Sequence, residues 1–225
     1  MDRRLIFIDG IPGSGKTTTA LWLAEQLRQS GHAAVAHVEM DDPHPLHTFW
    51  TWGDGYREDD IVTEAFSAAK FTERLNAKAA KLVKRIASNS EVSIIEAYPF
   101  QLPVRNHLKM GASMPEIEQF FTEFQSAVAP SNPLLIFIDR PNMRGTFEAA
   151  IRQRGPAFEH LLIHSITRSP YGRRHRLSGF EGTLAFYETC RELTEQLLGE
   201  WQFALCRVNP ERDGWDAARG QILAS

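Results

Sequence analysis

The chain has 225 residues, 43% hydrophobic and 24% charged, with a formal net charge of −3. That is enough apolar material for one globular core, and it lacks the basic excess that nucleic-acid binding favours. No apolar run approaches the roughly 20 residues that span a bilayer, and Cys190 and Cys206 have neither C-x-x-C spacing nor histidine partners suited to zinc.

In chain order, Leu5–Asp9 reads as a short buried strand and Lys16–Gln29 as a helix. Ala20, Leu23, Ala24 and Leu27 share one face of that helix, and Gly31 follows as a left-handed stop. Between strand and helix lies Gly10-Ile11-Pro12-Gly13-Ser14-Gly15-Lys16-Thr17, which fits the phosphate-binding pattern G-x-x-x-x-G-K-[ST] in the context that pattern requires. Its glycines let backbone N–H groups curl inward, and the helix N-terminus adds partial positive charge, so a polyphosphate is held there. Gly10, Pro12, Gly13, Ser14, Gly15, Lys16, Thr17 and Thr18 are the expected nucleotide-binding residues. Lys16 is expected to reach the β- and γ-phosphates, and the Thr17 hydroxyl to ligate Mg2+. The first strand begins almost at Met1, which leaves no room for a leader, and a cytoplasmic protein without a membrane partner is expected.

A second strand, Ala34–Glu39, runs into the acidic turn Glu39-Met40-Asp41. The aromatic stretch His47, Phe49, Trp50, Trp52 and Tyr56 follows, as walls for a flat ring or as a cluster pinning the loop. His44 and His47 lack partners at a spacing that would complete a metal site. The apolar spacing predicts a helix over 61–86 carrying Lys70 and Arg74, then a strand over Val92–Ala97. Ser113-Met114-Pro115-Glu116 is a capping box opening a helix that buries Ile117, Phe120, Phe121, Phe124 and Val128. Leu134–Asp139 is the fourth strand, followed by a short helix, Phe147–Arg154, stopped by Gly155. Arg168 through Arg176, dense in arginine, falls between predicted elements, as a mobile lid or a polar surface loop. The helix Gly182–Leu198, the strand Phe203–Val208 and a helix starting at Asp213 complete the chain.

Five apolar strands alternating with helices predict an open, doubly wound, mainly parallel α/β sheet in a single domain, with no nucleic-acid partner. Ligands of such sheets bind at the carboxyl ends of the strands. The first four strands end in Asp9, Glu39, Glu96 and Asp139, an acidic edge suited to a magnesium–nucleotide complex. Glu96 is the candidate to organise the water shell of the metal. Glu39 and Asp41 are the candidates for general base toward a hydroxyl acceptor. No [N/T]-K-x-D element marks a guanine-specific GTPase, and neither Glu96-Ala97 nor Asp139-Arg140 supplies the two acids of a motor ATPase. Both absences favour phosphoryl transfer to a small molecule.

On these residues the chain resembles the P-loop nucleoside/nucleotide kinases, thymidylate kinases above all in layout. The resemblance runs through Ile8-Asp9-Gly10 to Lys16-Thr17-Thr18, then Ala68-Ala69-Lys70 with Arg74, then Glu96-Ala97-Tyr98. It continues through Leu135 to Pro141, Ile151-Arg152-Gln153-Arg154-Gly155, and Phe186-Tyr187-Glu188 with Arg191. It implies ATP and Mg2+ as cofactors, an arginine-bearing lid over residues 141–180, and Arg152 as a clamp on the transferring phosphate. It also admits a homodimer. Lys70, Arg74, Tyr98 and Arg105 are the acceptor-binding candidates. Where that family has an Asp-Arg-Tyr strand end, this chain has Glu96-Ala97-Tyr98, and the turn after strand two differs too. The acceptor thus remains open among nucleosides, nucleotides and other hydroxyl metabolites. Hydrolysis of ATP or GTP without an acceptor, or a nucleotide-dependent regulatory switch, are the competing readings.

Overall fold

The computed structural model describes residues 3–41, 43–48 and 67–225. Phe49, Trp50, Trp52 and Tyr56, and residues 61–66 of the expected helix, lie outside the described residues. Five strands form one parallel sheet: β1 (Leu5–Asp9), β2 (Ala34–His37), β3 (Val92–Glu96), β4 (Leu134–Ile138) and β5 (Ala204–Val208), in the order β2-β3-β1-β4-β5. The helices are α1 (Lys16–Gln29), α2 (Ala68–Ala87), α3 (Arg105–Lys109), α4 (Met114–Val128), α5 (Met143–Arg154), α6 (Pro156–Thr167), α7 (Pro170–Arg174), α8 (Gly179–Gly199), α9 (Pro210–Asp213) and α10 (Trp215–Ala224). A π-helical turn, Phe100–Val104, leads from β3 into α3.

Successive side chains of a strand point to opposite faces, and here that alternation divides the core in two. Leu5, Phe7, Ile95, Leu135 and Phe137 face the layer made by α2, α4 and α8, where Phe120, Phe121 and Phe124 are completely buried. Ile6, Ile8, Ile94, Ile136 and Ile138 face α1 and α10. Being covered on both sides is why β1, β3 and β4 are buried throughout and read as unbroken apolar runs. The same alternation sends the strand-ending acids to different faces. Asp9 follows Leu5 and Phe7 toward the α8 layer, whereas Glu96 follows Ile94 toward α1.

Helix ends follow local chemistry. Glu116 accepts from both the N–H and the hydroxyl of Ser113 at 2.7 Å, the box that opens α4. The stretch 168–176, expected between predicted elements, contains the short helix α7, and α6 fills the chain from Pro156 up to it. Gly155 (φ 83) ends α5, Pro156 starts α6 at a position where its missing N–H costs nothing, and Leu162 and Ile166 are buried. Arg168, Arg173, Arg174 and Arg176 are exposed around α7, and their density is why the composition hid that short helix. No helix among the described residues is long and apolar enough to cross a membrane.

Candidate functional site

The glycine-rich loop joins β1 to α1 at the carboxyl edge of the sheet. Gly15 stands at φ 100, which few L side chains adopt, and a Cβ there would lie 2.6 Å from the Trp215 indole. α10 therefore packs directly on the loop backbone. On the other side, Thr146 and Ala150 of α5 lie against Gly13. Lys16 is buried, and its ammonium donates to the Ile11 carbonyl at 3.0 Å. Burial lowers its pKa, and the carboxylates of Glu96, Glu39 and Asp9 oppose that shift. An anion drawn into the loop offers Lys16 a better partner than a neutral carbonyl.

Three carboxylates surround the loop with distinct partners. The Thr17 hydroxyl donates to Glu96 Oε1 at 2.6 Å, and the Glu39 N–H donates to Glu96 Oε2 at 2.9 Å. Because the Thr17 proton is committed to Glu96, its oxygen lone pairs stay available to a hard cation, so Thr17 and Glu96 fit Mg2+ held at the loop. Asp9 is completely buried and accepts from the N–H groups of Gly10, Phe100 and Gln101. Burial raises its pKa to about 6, against those hydrogen bonds and Lys16, which lower it. Gln101 Nε2 in turn donates to Glu39 Oε2 at 2.9 Å. Asp9, Gln101, Glu39, Glu96 and Thr17 thus form one circuit connecting both ends of the loop through the ends of β2 and β3. Ala97 makes it possible: its φ of 64 turns the chain sharply out of β3 and brings the amides of Phe100 and Gln101 to Asp9. A left-handed alanine costs about 1–2 kcal/mol, offset by the bonds it sets up.

Beside this circuit, on the α8 side of the sheet, opens a cleft of about 560 Å3 including space open to solvent. Its floor is Asp9 to Pro12, and its apolar walls include Phe100, Val104, Phe137 and Tyr187. Arg105 projects into it and donates to the Tyr187 hydroxyl at 3.4 Å. Burial works against its charge, but Tyr187 and Glu39 outweigh burial and hold the guanidinium above its ordinary value. Among the residues lining the cleft, Gln101 Oε1, Arg105 Nε and Arg140 Nε are buried without a hydrogen-bond partner, and Arg140 Nε lies 3.3 Å from Glu211 Oε1. Cys190 also lines it, but burial pushes its thiol up to about 12, so it is no nucleophile at neutral pH.

Residues 1–97 match the family model of Novel STAND NTPase 3. Among curated proteins none matches the sequence. Among solved structures, thymidylate kinase from Ehrlichia chaffeensis is similar at a TM-score of 0.53, with 13% identity over 99% of this chain and 97% of that one. Deoxyadenosine kinase from M. mycoides, solved with bound dATP, is similar at 0.51, with 15% identity over 98% and 97%. The fold is that of a P-loop kinase.

Within this P-loop kinase fold the expected site residues separate. Lys16, Thr17, Glu96 and Glu39 come together around the loop. Asp41 instead closes its own turn by accepting from the Val38 N–H at 2.8 Å. Tyr98 is buried and stacks on His44, with ring centroids 5.6 Å apart, outside the lining of the cleft. Lys70 and Arg74 are exposed on the first turns of α2, and Arg105 lines the cleft. Arg152 is exposed on α5, and at about 100° per residue it lies on the side turned away from the Ala150 that touches Gly13. Arg144 pairs with Glu181 at 2.7 Å, and Arg154 lies 4.7 Å over the Phe158 ring. No group of His, Cys, Asp and Glu among the described residues forms a metal cluster. Sequence reasoning missed Gln101, and it met Tyr187 only as an inward residue of its helix and through the resemblance. A neutral amide between two prolines carries no motif.

Proposed function

We propose that this protein transfers the γ-phosphoryl group of Mg·ATP to a small molecule bound in the cleft. The observation that carries the reading is the circuit from Thr17 through Glu96 and Glu39 to Gln101, which ties a nucleotide loop to an adjoining cleft. Backbone amides from Gly13 to Thr17 and the Lys16 ammonium would hold the polyphosphate, and Thr17 with Glu96 would hold Mg2+. Mg2+, when bound, neutralises charge on the phosphates. Glu39 would orient the acceptor and take its proton. The new bond joins an acceptor oxygen to the γ-phosphorus, the bond from that phosphorus to the β–γ bridging oxygen breaks, and ADP leaves with that electron pair. Residues 141–180, in this reading, form the lid. Its arginines at 152, 168, 173, 174 and 176 are exposed and available to close on phosphate and exclude water.

The match of residues 1–97 to an NTPase model favours a second reading, hydrolysis with water as the acceptor. A phosphate-transfer screen of nucleosides, nucleotides and aminoglycoside-like compounds with Mg·ATP separates the two. Slow hydrolysis overtaken by transfer to one compound supports the kinase, and fast hydrolysis that no compound diverts supports the NTPase. Lys16→Ala is expected to abolish nucleotide turnover with an unchanged circular dichroism spectrum, and retained turnover would remove Lys16 from the mechanism.

A further inference from the structure

We propose that the cleft holds an organic oxoanion, with its head group on the Arg105 guanidinium and its body against the apolar wall. The inference rests on the phosphotransferase reading above and makes that anion the acceptor. Arg105 donates through Nη1 to the Tyr187 hydroxyl, which leaves untouched the edge of the guanidinium formed by Nε and Nη2. That edge presents two parallel N–H groups and grips a carboxylate or a phosphate bidentately. Nε is shut from solvent and has no protein partner, so its proton is unsatisfied until a ligand closes on that edge. Tyr187 is 3% exposed and packs against the Phe147 and Phe186 rings, at centroid distances of 4.8 and 5.5 Å. Its hydroxyl is therefore a fixed stop for Nη1, and Tyr187 acts as a positioning residue for the guanidinium.

The charges of the lining call for an anion. Among the described residues no carboxylate forms an ion pair with Arg105, and Glu39 acts on it only from longer range. Arg191 is bonded to a neutral group, the Pro141 carbonyl, at 2.8 Å. Arg140, the third arginine of the lining, lies 3.3 Å from Glu211. The acids of the lining are already engaged. Asp139 and Glu195 share Arg207, at 2.8 and 2.6 Å, and Asp9 accepts the N–H groups of Gly10, Phe100 and Gln101. A partly desolvated cation without a counter-ion is costly, and a negatively charged ligand removes that cost. Phe100, Val104 and Phe137 offer the rest of the ligand an apolar surface. Gln101 Oε1, buried and unpartnered, accepts one O–H or N–H from it.

The test measures binding by calorimetry with Mg·ADP present, then transfer of labelled γ-phosphate from ATP. Each anion is paired with its neutral parent: nucleoside 5′-monophosphates with nucleosides, aryl phosphates with phenols, hydroxybenzoates with hydroxybenzamides. Where a pair binds, the anion is expected to bind at least about tenfold more tightly than its parent. The tighter of the carboxylate and phosphate series tells which head group the site takes. Arg105→Gln is expected to weaken the anion about ten- to a hundredfold, with the affinities of the neutral parent and of Mg·ATP unchanged. Arg105→Lys keeps the charge without the fork and is expected to recover only part of that loss. Tyr187→Phe keeps the ring packing and tests the site should Arg105→Gln fail to fold. It is expected to lower the preference for anions without changing the binding of their parents, a selectivity that a merely structural role would not move. Equal binding of anions and parents, or binding of neither, would overturn the oxoanion assignment. A preference for anions undiminished in Arg105→Gln would place the head group elsewhere and overturn the role of Arg105. Anion binding that depends on Arg105, with no label transferred to any anion, would overturn the phosphotransferase reading and leave the site standing.

Discussion

Glu96 is engaged on both oxygens, by the Thr17 hydroxyl and by the Glu39 N–H, so its carboxylate is locked beside the loop in one orientation. That arrangement makes its charge, rather than its shape, the thing a substitution should probe. Glu96→Gln preserves size and one accepting oxygen, but it removes the negative charge that a divalent cation at Thr17 would need. Groups that orient metal ligands are commonly worth about 10- to 100-fold in metal affinity. The half-saturating Mg2+ concentration for nucleotide binding is therefore expected to rise at least about tenfold. Binding without Mg2+ is expected to persist or improve, because a like charge beside the triphosphate is gone. Titrations of nucleotide at graded Mg2+ read both effects, and an unchanged Mg2+ requirement would dismiss Glu96 from the metal site.

At the scale of elements, α6 and α7 meet at a turn built on close approach. A Cβ at Gly172 would fall 2.1 Å from the Ile166 carbonyl oxygen and 2.9 Å from that of Thr167, both backbone atoms with no room to yield. Ser169 caps the same turn, accepting from the Gly172 N–H at 3.0 Å. Gly172→Ala is expected to destabilise the fold by about 1–3 kcal/mol, read as a lower denaturation midpoint, and an unshifted midpoint would mean the turn repacks freely. This turn also shows what the sequence could not disclose. β1, α1, β3, β4 and α4 were legible because apolar runs, helical spacing, a glycine-rich loop and a capping box are local signals. The π-helical turn Phe100–Val104 was not, since Pro99 precedes it, Pro103 lies within it, and both read as interruptions. α6 carries apolar residues at Phe158, Leu161, Leu162, Ile163 and Ile166, but Gly155-Pro156 before it and the arginine-dense stretch after it make the segment read as part of a lid. The candidate site divides the same way. Lys16, Thr17 and Glu96 were found by motif and strand end. Gln101 acquires meaning only when Asp9 draws its amide across from a segment distant in sequence. The lid arginines were chosen by position along the chain, but Arg144 is held by Glu181 and Arg154 by Phe158, pairings visible only in the folded protein.

At the scale of the whole molecule, three buried groups set how stability responds to acid. Burial lowers His107 to about 4, although the Pro103 carbonyl at 2.8 Å favours its proton. Burial lowers His44 to about 2, with His47 and His37 adding to the shift. Unfolded, each histidine would titrate near 6.5, so between about pH 4 and pH 6 the unfolded chain binds two protons that the native state refuses. Asp9 acts in the opposite sense, since its native pKa of about 6 exceeds the ordinary 3.8 and the folded protein holds a proton the unfolded chain has released. Two protons less one leaves a net uptake of one on unfolding, so stability falls with acid by about 1.4 kcal/mol per pH unit over that window. His37, lowered by burial as well, pushes in the same direction. Urea unfolding at pH 6 and pH 5 should show this loss, and Asp9→Asn, which removes the opposing proton, should make the dependence about twice as steep. A stability that is flat or rises on acidification across that window would mean that the two histidines are not held neutral inside the fold.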